Sequence, residues 1–153
     1  MNLSSKEIET RLNNFKKVLK SAGLKYTHQR MEIFKELAQS KEHPDADTIY
    51  QSVSRRVPAV SIDTVYRTLA LLEEAKLINR VQVLSNRVRY DANTERHHHF
   101  VCTECGQVRD FHSQQLNDCP VFQSVQDIGI VKSLNVQLRG ICLACNDKKN
   151  KKQ

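Results

Sequence analysis

The sequence predicts an α+β protein: an N-terminal winged helix-turn-helix followed by a smaller C-terminal subdomain stapled by zinc. Three observations carry that reading. Within the first ninety residues, four stretches of helical periodicity are followed by two short alternating runs, which is the element order of a winged helix. Beyond residue 100, two C-x-x-C pairs occur, Cys102/Cys105 and Cys142/Cys145. Between the alternating runs and the first pair lies "RHHHF", residues 96–100.

The first helix is marked by Ile8, Leu12, Phe15, Val18, Leu19 and Ala22 at spacings of three and four, with Gly23 as its stop. Thr27 suits the N-cap of a second, whose Met31, Phe34, Leu37 and Ala38 share a face and which ends near "QSKEH". Pro44 and Asp45 open a third, carrying Ala46, Ile49, Tyr50 and Val53 inward until Pro58. The fourth is "SIDTVYRTLALLEEAKLI": Ser61 caps it, Ile62, Val65, Leu69 and Leu72 form its buried stripe, and Tyr66 and Arg67 project from the other side. "INRVQVL" and "RVRYD", separated by "SN", read as a short hairpin. In such an architecture the fourth helix enters the major groove, while Arg87 and Arg89 of the hairpin approach phosphate or the minor groove. The plain alternative is that Tyr66 packs half-buried and Arg67 is a solvated charge.

Charge supports the same division. The chain of 153 residues has a net charge of +7, and residues 1–90 hold 16 Lys+Arg against 10 Asp+Glu, whereas residues 91–153 hold 8 against 7. A basic N-terminal part attracts phosphate backbones or anionic membranes; the tail "NDKKNKK" reads as solubilising charge. No apolar run approaches the roughly 18 residues of a membrane span, and "MNLSSKEIET" lacks the apolar region of a secretory signal. The expected compartment is the cytoplasm, where five cysteines do not form a disulfide framework.

Each C-x-x-C aims two sulfurs at one point, and two such turns satisfy Zn²⁺ with four thiolates. Gly106 suits the turn after the first pair. The 36-residue gap between the pairs makes this zinc a staple between distant segments of a subdomain too small to rely on its core. The rival reading, a redox dithiol, needs only one C-x-x-C at a helix N-terminus. Cys119, outside both pairs, reads as a small unreactive side chain. With the zinc coordinatively full, the histidines require a separate account. On a strand, His97 and His99 face together and His98 faces away. With Asp110 close by through the knuckle and Asp91 just before the run, they make half of a second metal site. His112 and His28 have no such company.

Taken in order, "THQR" (27–30), "HPDADTIY" (43–50), "SIDTVYRTL" (61–69), "YD" (90–91), "HHHFVCTECGQVRDF" (97–111) and "GICLAC" (140–145) make the chain resemble the ferric uptake regulator family of metal-dependent transcription factors over nearly its whole length. The resemblance implies a homodimer: a winged-helix DNA-binding domain (1–90), a hinge (91–96) and a C-terminal α/β dimerisation domain (97–153) with structural Zn²⁺. By matching positions it implies a regulatory Fe²⁺ or Mn²⁺ held by His43, Asp91, His97, His99 and Asp110. It implies a palindromic double-stranded DNA operator met by Arg30, Ser61, Thr64, Tyr66, Arg67, Arg87 and Arg89.

Members of the family's peroxide-stress branch carry Asp at the hinge, whereas iron-sensing members usually carry Glu, so Asp91 favours the former. The implied function is a repressor, not an enzyme, that senses peroxide by metal-catalysed oxidation of His43 or His97. The alternative is an iron- or manganese-responsive repressor. A metallohydrolase built on H-x-H leaves the winged helix unexplained, and a thiol oxidoreductase is told apart by whether chelation unfolds the chain or leaves active dithiols behind. Nitrogen and oxygen donors without a thiolate suit Fe²⁺ or Mn²⁺, whereas the four cysteines select zinc. Three positions depart from the family pattern. His28 replaces a usual Pro, Asp63 a usual small residue, and Leu134 stands where some relatives place a histidine of a further metal site.

Overall fold

A computed structural model describes residues 4–82, 87–120 and 122–151. The chain forms two compact units, divided between Thr94 and Glu95. In the first, helices α1 (Ser5–Ser21), α2 (His28–Gln39), α3 (Ala46–Ser54) and α4 (Ile62–Glu74) are followed by β1 (Asn79–Gln82) and β2 (Val88–Asp91). The two strands pair antiparallel, completing the winged-helix order; Ser85 and Asn86, the expected turn, lie outside the described residues.

All four helices start on a side-chain cap: Ser4, Thr27, Asp45 and Ser61 each accept a first-turn backbone N–H, and Ser4 forms a reciprocal box with Glu7. Such caps satisfy donors that a helix N-terminus otherwise leaves open, each stabilising by about 1 kcal/mol. α1 ends where Gly23 takes φ +66, a left-handed conformation that costs glycine little. Ala22, grouped by periodicity with the inward stripe, is the C-cap and is exposed, because the helix closes before that face returns to the core.

The first unit's core is continuous across the four helices: Phe15 and Leu19, then Ile33, Phe34 and Leu37, then Ile49 and Val53, then Val65, Leu69 and Leu72. Phe15 stacks on Phe34 with centroids 4.6 Å apart and planes 7° from parallel. Burying each such side chain is worth about 1.5–3 kcal/mol. Ile33 lies outside the predicted stripe of α2 yet is fully buried. α2 packs against α1, α3 and α4, so its apolar face is wider than that of a helix with one neighbour. Buried Glu32 accepts from Arg56 Nε at 2.9 Å and Glu36 from Arg56 Nη2 at 2.7 Å, a tie between α2 and the end of α3 that periodicity does not reveal.

The second unit is a three-stranded sheet of order β4-β3-β5, with β3 at His98–Cys102, β4 at Val108–Phe111 and β5 at Gln137–Gly140. β3 pairs antiparallel with β4 and parallel with β5. Short helices α5 (Gln114–Asn117) and α6 (Gln123–Gln126) precede β5, and α7 (Leu143–Asn150) follows it. A Cβ at Gly140 would stand 3.3 Å from the Phe100 ring, so glycine lets β5 lie close along β3. Cys102 ends β3, whereas Cys142 sits two residues beyond β5, as the N-cap of α7. Among the described residues, no helix is long and apolar enough to cross a membrane.

Candidate metal centres and nucleic-acid interface

The cysteine knuckle is built from β-strand register and two tight turns. Gly106 N–H returns to the Cys102 carbonyl at 3.0 Å, with Gly106 at φ +70, and Cys145 N–H returns to the Cys142 carbonyl at 3.0 Å. Thr103 N–H donates to the Gly140 carbonyl at 2.8 Å, which brings the second pair alongside the first. One sulfur from each of Cys102, Cys105, Cys142 and Cys145 lies within 4.8 Å of the others, with Cys105 and Cys142 at 3.9 Å. Four sulfurs around one tetrahedral zinc at about 2.3 Å stand roughly 3.8 Å apart.

Backbone N–H groups of Cys105 and Cys142 are aimed at Cys102 Sγ and hold its thiol down to about 6. Cys145 is pushed up to about 12, first by the neighbouring Cys142 sulfur and then by desolvation and the other two. One thiolate is ready at neutral pH, but four sulfurs this close do not all ionise without a compensating dication. The donor set therefore fits structural Zn²⁺. Lys149 Nζ, 2.8 Å from Glu104 Oε1, ties α7 to the first turn.

His97, His99 and Asp110 converge on one side of the same sheet. Register sets His99 opposite Asp110. His97 Nε2 lies 2.9 Å from His99 Nε2, and the two are 3.6 and 3.5 Å from Asp110 Oδ1. His97 Nδ1 is 2.7 Å from the Glu95 carbonyl oxygen; a carbonyl only accepts, so Nδ1 carries the proton and Nε2 presents a lone pair. Two imidazole nitrogens at that separation need a proton or a cation between them. His98 faces the other way, fully buried, with Nδ1 accepting from the Val136 N–H at 3.3 Å and its ring 5.4 Å from Phe111.

In the first unit, His43 and Asp91 form a second set, with Nε2 3.6 Å from Oδ2 and both side chains buried. Asp91 Oδ1 accepts the Asn93 N–H at 2.7 Å. His43 has φ +49, a left-handed conformation rare outside glycine, in which histidine is one of the enriched exceptions. Arg89 Nη1 donates to the His43 carbonyl at 3.1 Å, and Tyr90 N–H to the Pro44 carbonyl at 3.1 Å. These ties to the His43 segment went unseen in the sequence. A histidine directly ahead of a Pro-Asp cap is the local signal of it.

The outer face of α4 presents Asp63, Tyr66 and Arg67, and the Ser61 and Thr64 hydroxyls lie 2.9 Å apart at its start. Tyr66 is 50% exposed. Arg30 Nη1 donates to the Lys25 carbonyl at 2.6 Å, and Arg87 Nη1 lies 3.3 Å from Asp45 Oδ2. Of the cations expected on DNA, Arg30, Arg87 and Arg89 thus each hold an intramolecular partner, and Arg67 pairs within its own helix.

A winged helix joined to a four-cysteine centre and to histidine–carboxylate donor sets defines the class of metal-dependent transcription regulators. Residues 21–138 match the ferric uptake regulator family, and the chain belongs to it. The peroxide-responsive repressor PerR of Staphylococcus aureus is 32% identical over 149 residues, covering 97% of this chain and 100% of that protein. The peroxide stress regulator of Campylobacter jejuni has a similar structure, with a TM-score of 0.65 and 31% identity, covering 88% of this chain and 98% of the other. The ferric uptake regulator Fur of Helicobacter pylori shares the fold, with a TM-score of 0.74 at 24% identity over 95% and 97% of the two chains.

Proposed function

We propose that this protein is a dimeric repressor that binds a palindromic operator when a single Fe²⁺ or Mn²⁺ is held by His43, Asp91, His97, His99 and Asp110, and that peroxide releases it by oxidising His43 or His97. The observation that carries the reading is the pair of donor sets, His43 with Asp91 in the first unit and His97, His99 and Asp110 in the second, neither containing sulfur. A pair and a triad are each too few for a hard divalent ion, and together they supply five nitrogen and oxygen donors.

An ion taking both sets favours one arrangement of the two units. To move a population from 1:99 to 99:1 it must prefer that arrangement by about 5.5 kcal/mol. In the bound arrangement the two α4 helices of a dimer meet successive major-groove faces. The second copy covers the apolar surface of the C-terminal unit, where Ile128, Ile130 and Leu143 are 83%, 92% and 81% exposed.

Bound Fe²⁺ supplies the redox chemistry by which peroxide oxidises an adjacent imidazole. In the net change the ring gains one oxygen and peroxide leaves as water. The oxidised imidazole is a poor donor, so the donor set falls apart and the repressor leaves DNA. This is self-modification without turnover, in keeping with a family of regulators rather than enzymes. Asp91, the hinge carboxylate of the peroxide-stress branch, and the relatives named peroxide-responsive support this branch.

The test is mass spectrometry of tryptic peptides after a peroxide pulse. A gain of one oxygen on the His43 or His97 peptide is expected with Fe²⁺ and not with Mn²⁺, in parallel with loss of operator binding. If no oxygen is gained while DNA binding still follows Fe²⁺, the protein is an iron-responsive repressor instead.

A further inference from the structure

His112 has no part in the donor sets described above, yet strand register gives it a place beside them. β4 pairs Asp110 with His99 and Phe111 with His98, so the next residue, His112, continues that register to the position opposite His97. Opposite residues of an antiparallel pair share a face. His98 and Phe111 share one side, with rings 5.4 Å apart; His97, His99, Asp110 and His112 fall on the other. The His97 and His112 rings stand 6.2 Å apart, against 4.6 Å for His97 and His99. His112 is thus the fourth corner of a face whose other three corners are proposed metal donors.

The four corners differ in how open they are to water. The side chains of His97, His99 and Asp110 are 3%, 16% and 29% exposed. His112 is exposed and, among the described residues, makes no hydrogen bond or ion pair. A hydrated divalent ion sheds its water stepwise, one molecule for each protein donor that replaces it. The first donor must therefore meet a complete hydration shell at the surface, and a working metal site needs such an entry path. His97 is too buried to serve, and its Nδ1 is engaged with the Glu95 carbonyl. His112 is open to the ion: an imidazole suits Fe²⁺, and the half-exposed carboxylate of Asp110 suits Mn²⁺.

We infer that His112 is the entry ligand of the regulatory centre, taking a hydrated Fe²⁺ or Mn²⁺ at the surface together with Asp110 and passing it inward to His99 and His97, with no place in the finished donor set. The inference rests on the proposed regulatory site and adds the route by which that site fills. Its signature is kinetic. A group that binds the ion only in passing lowers the barrier equally for arrival and departure, so its removal slows both and leaves affinity where it was. A ligand of the finished set behaves differently: its loss speeds departure and weakens affinity.

The experiment uses the full-length protein with zinc in the four-cysteine centre and Co²⁺ as the probe, whose visible absorption reports occupancy of a nitrogen and oxygen site. Kd comes from titration, the association rate from rapid mixing and the dissociation rate from a chelator chase. Wild type, H112A, H112Q and H97A are compared. His112 is exposed, so H112A and H112Q keep the fold, which circular dichroism checks. Both are expected to slow association and dissociation together by about 10-fold, equivalent to about 1.4 kcal/mol of barrier, with Kd within about 2-fold of wild type. H97A, which removes a ligand of the finished set, raises Kd and speeds dissociation.

If both rates in H112A match wild type, His112 is a solvated side chain and the inference fails. If H112A raises Kd through faster dissociation alone, His112 belongs to the finished donor set and the inference fails in that direction. If zinc-loaded wild type takes up no Co²⁺, or H97A binds it as tightly as wild type, the regulatory site itself is lost and the entry route with it.

Discussion

The carboxylate of Asp45 accepts the Thr48 N–H at 2.8 Å and the Thr48 hydroxyl at 2.6 Å, and its other oxygen lies 3.3 Å from Arg87. Burial pushes this carboxyl up, but the Thr48 hydrogen bonds and Arg87 outweigh it and leave it below its ordinary value. A lowered carboxyl favours folding above its unfolded value of about 3.9 and loses that contribution as pH falls through the folded one. D45A is therefore expected to cost about 1 kcal/mol at pH 7. In urea titrations the gap between variant and wild type should close as pH drops below about 4; a gap unchanged at pH 3 would contradict the ionised cap. At this scale the sequence is highly legible. Thr27, Asp45 and Ser61 are caps because the hydrogen bond they make reaches only three residues ahead. The partners of Arg87 and Arg89 lie 42 and 46 residues away, and no local pattern announces such a pairing.

Three ties hold β2 against the segment leading into α3: Arg89 to the His43 carbonyl, Tyr90 N–H to the Pro44 carbonyl, and Arg87 to Asp45. Together they bring His43 to Asp91 across the end of the hairpin. Arg89 thus has two candidate duties, supporting the metal donor set or contacting phosphate. The structure favours the first, since Arg89 Nη1 donates to the His43 carbonyl and its Nε is buried. R89A is expected to weaken Mn²⁺ binding by about 10-fold or more, as loss of a group supporting a metal ligand does, measured calorimetrically on zinc-loaded protein. If Mn²⁺ affinity holds while DNA binding weakens and its salt slope falls by about 1, Arg89 is a phosphate contact. The elements themselves were legible from period, with α1 to α4 and both runs of the hairpin placed from apolar spacing. What periodicity could not supply was the width of α2's buried face, since that depends on how many neighbours a helix acquires.

Over the whole molecule, the two units differ in what holds them. The first has a core spanning four helices, whereas the buried apolar side chains of the second, among the described residues, are Val101, Cys102 and Val108. Binding free energy at a structural zinc site is folding free energy for a unit so small. Chelating the zinc is expected to abolish hydrogen-exchange protection in β3, β4 and β5 while α1 to α4 stay protected. Retained protection in β3 and β5 after verified zinc loss would show that the sheet stands without its staple. Capping, helical and strand period, the paired cysteines and the alternation that sets His97 with His99 and against His98 were all fixed by sequence alone, because each is a relation between near neighbours along the chain. The convergence of the two cysteine pairs and the set of His43 beside Asp91 were decided only by tertiary structure. Distances between side chains brought together by packing depend on every element in between, and chemistry at a site depends on those distances.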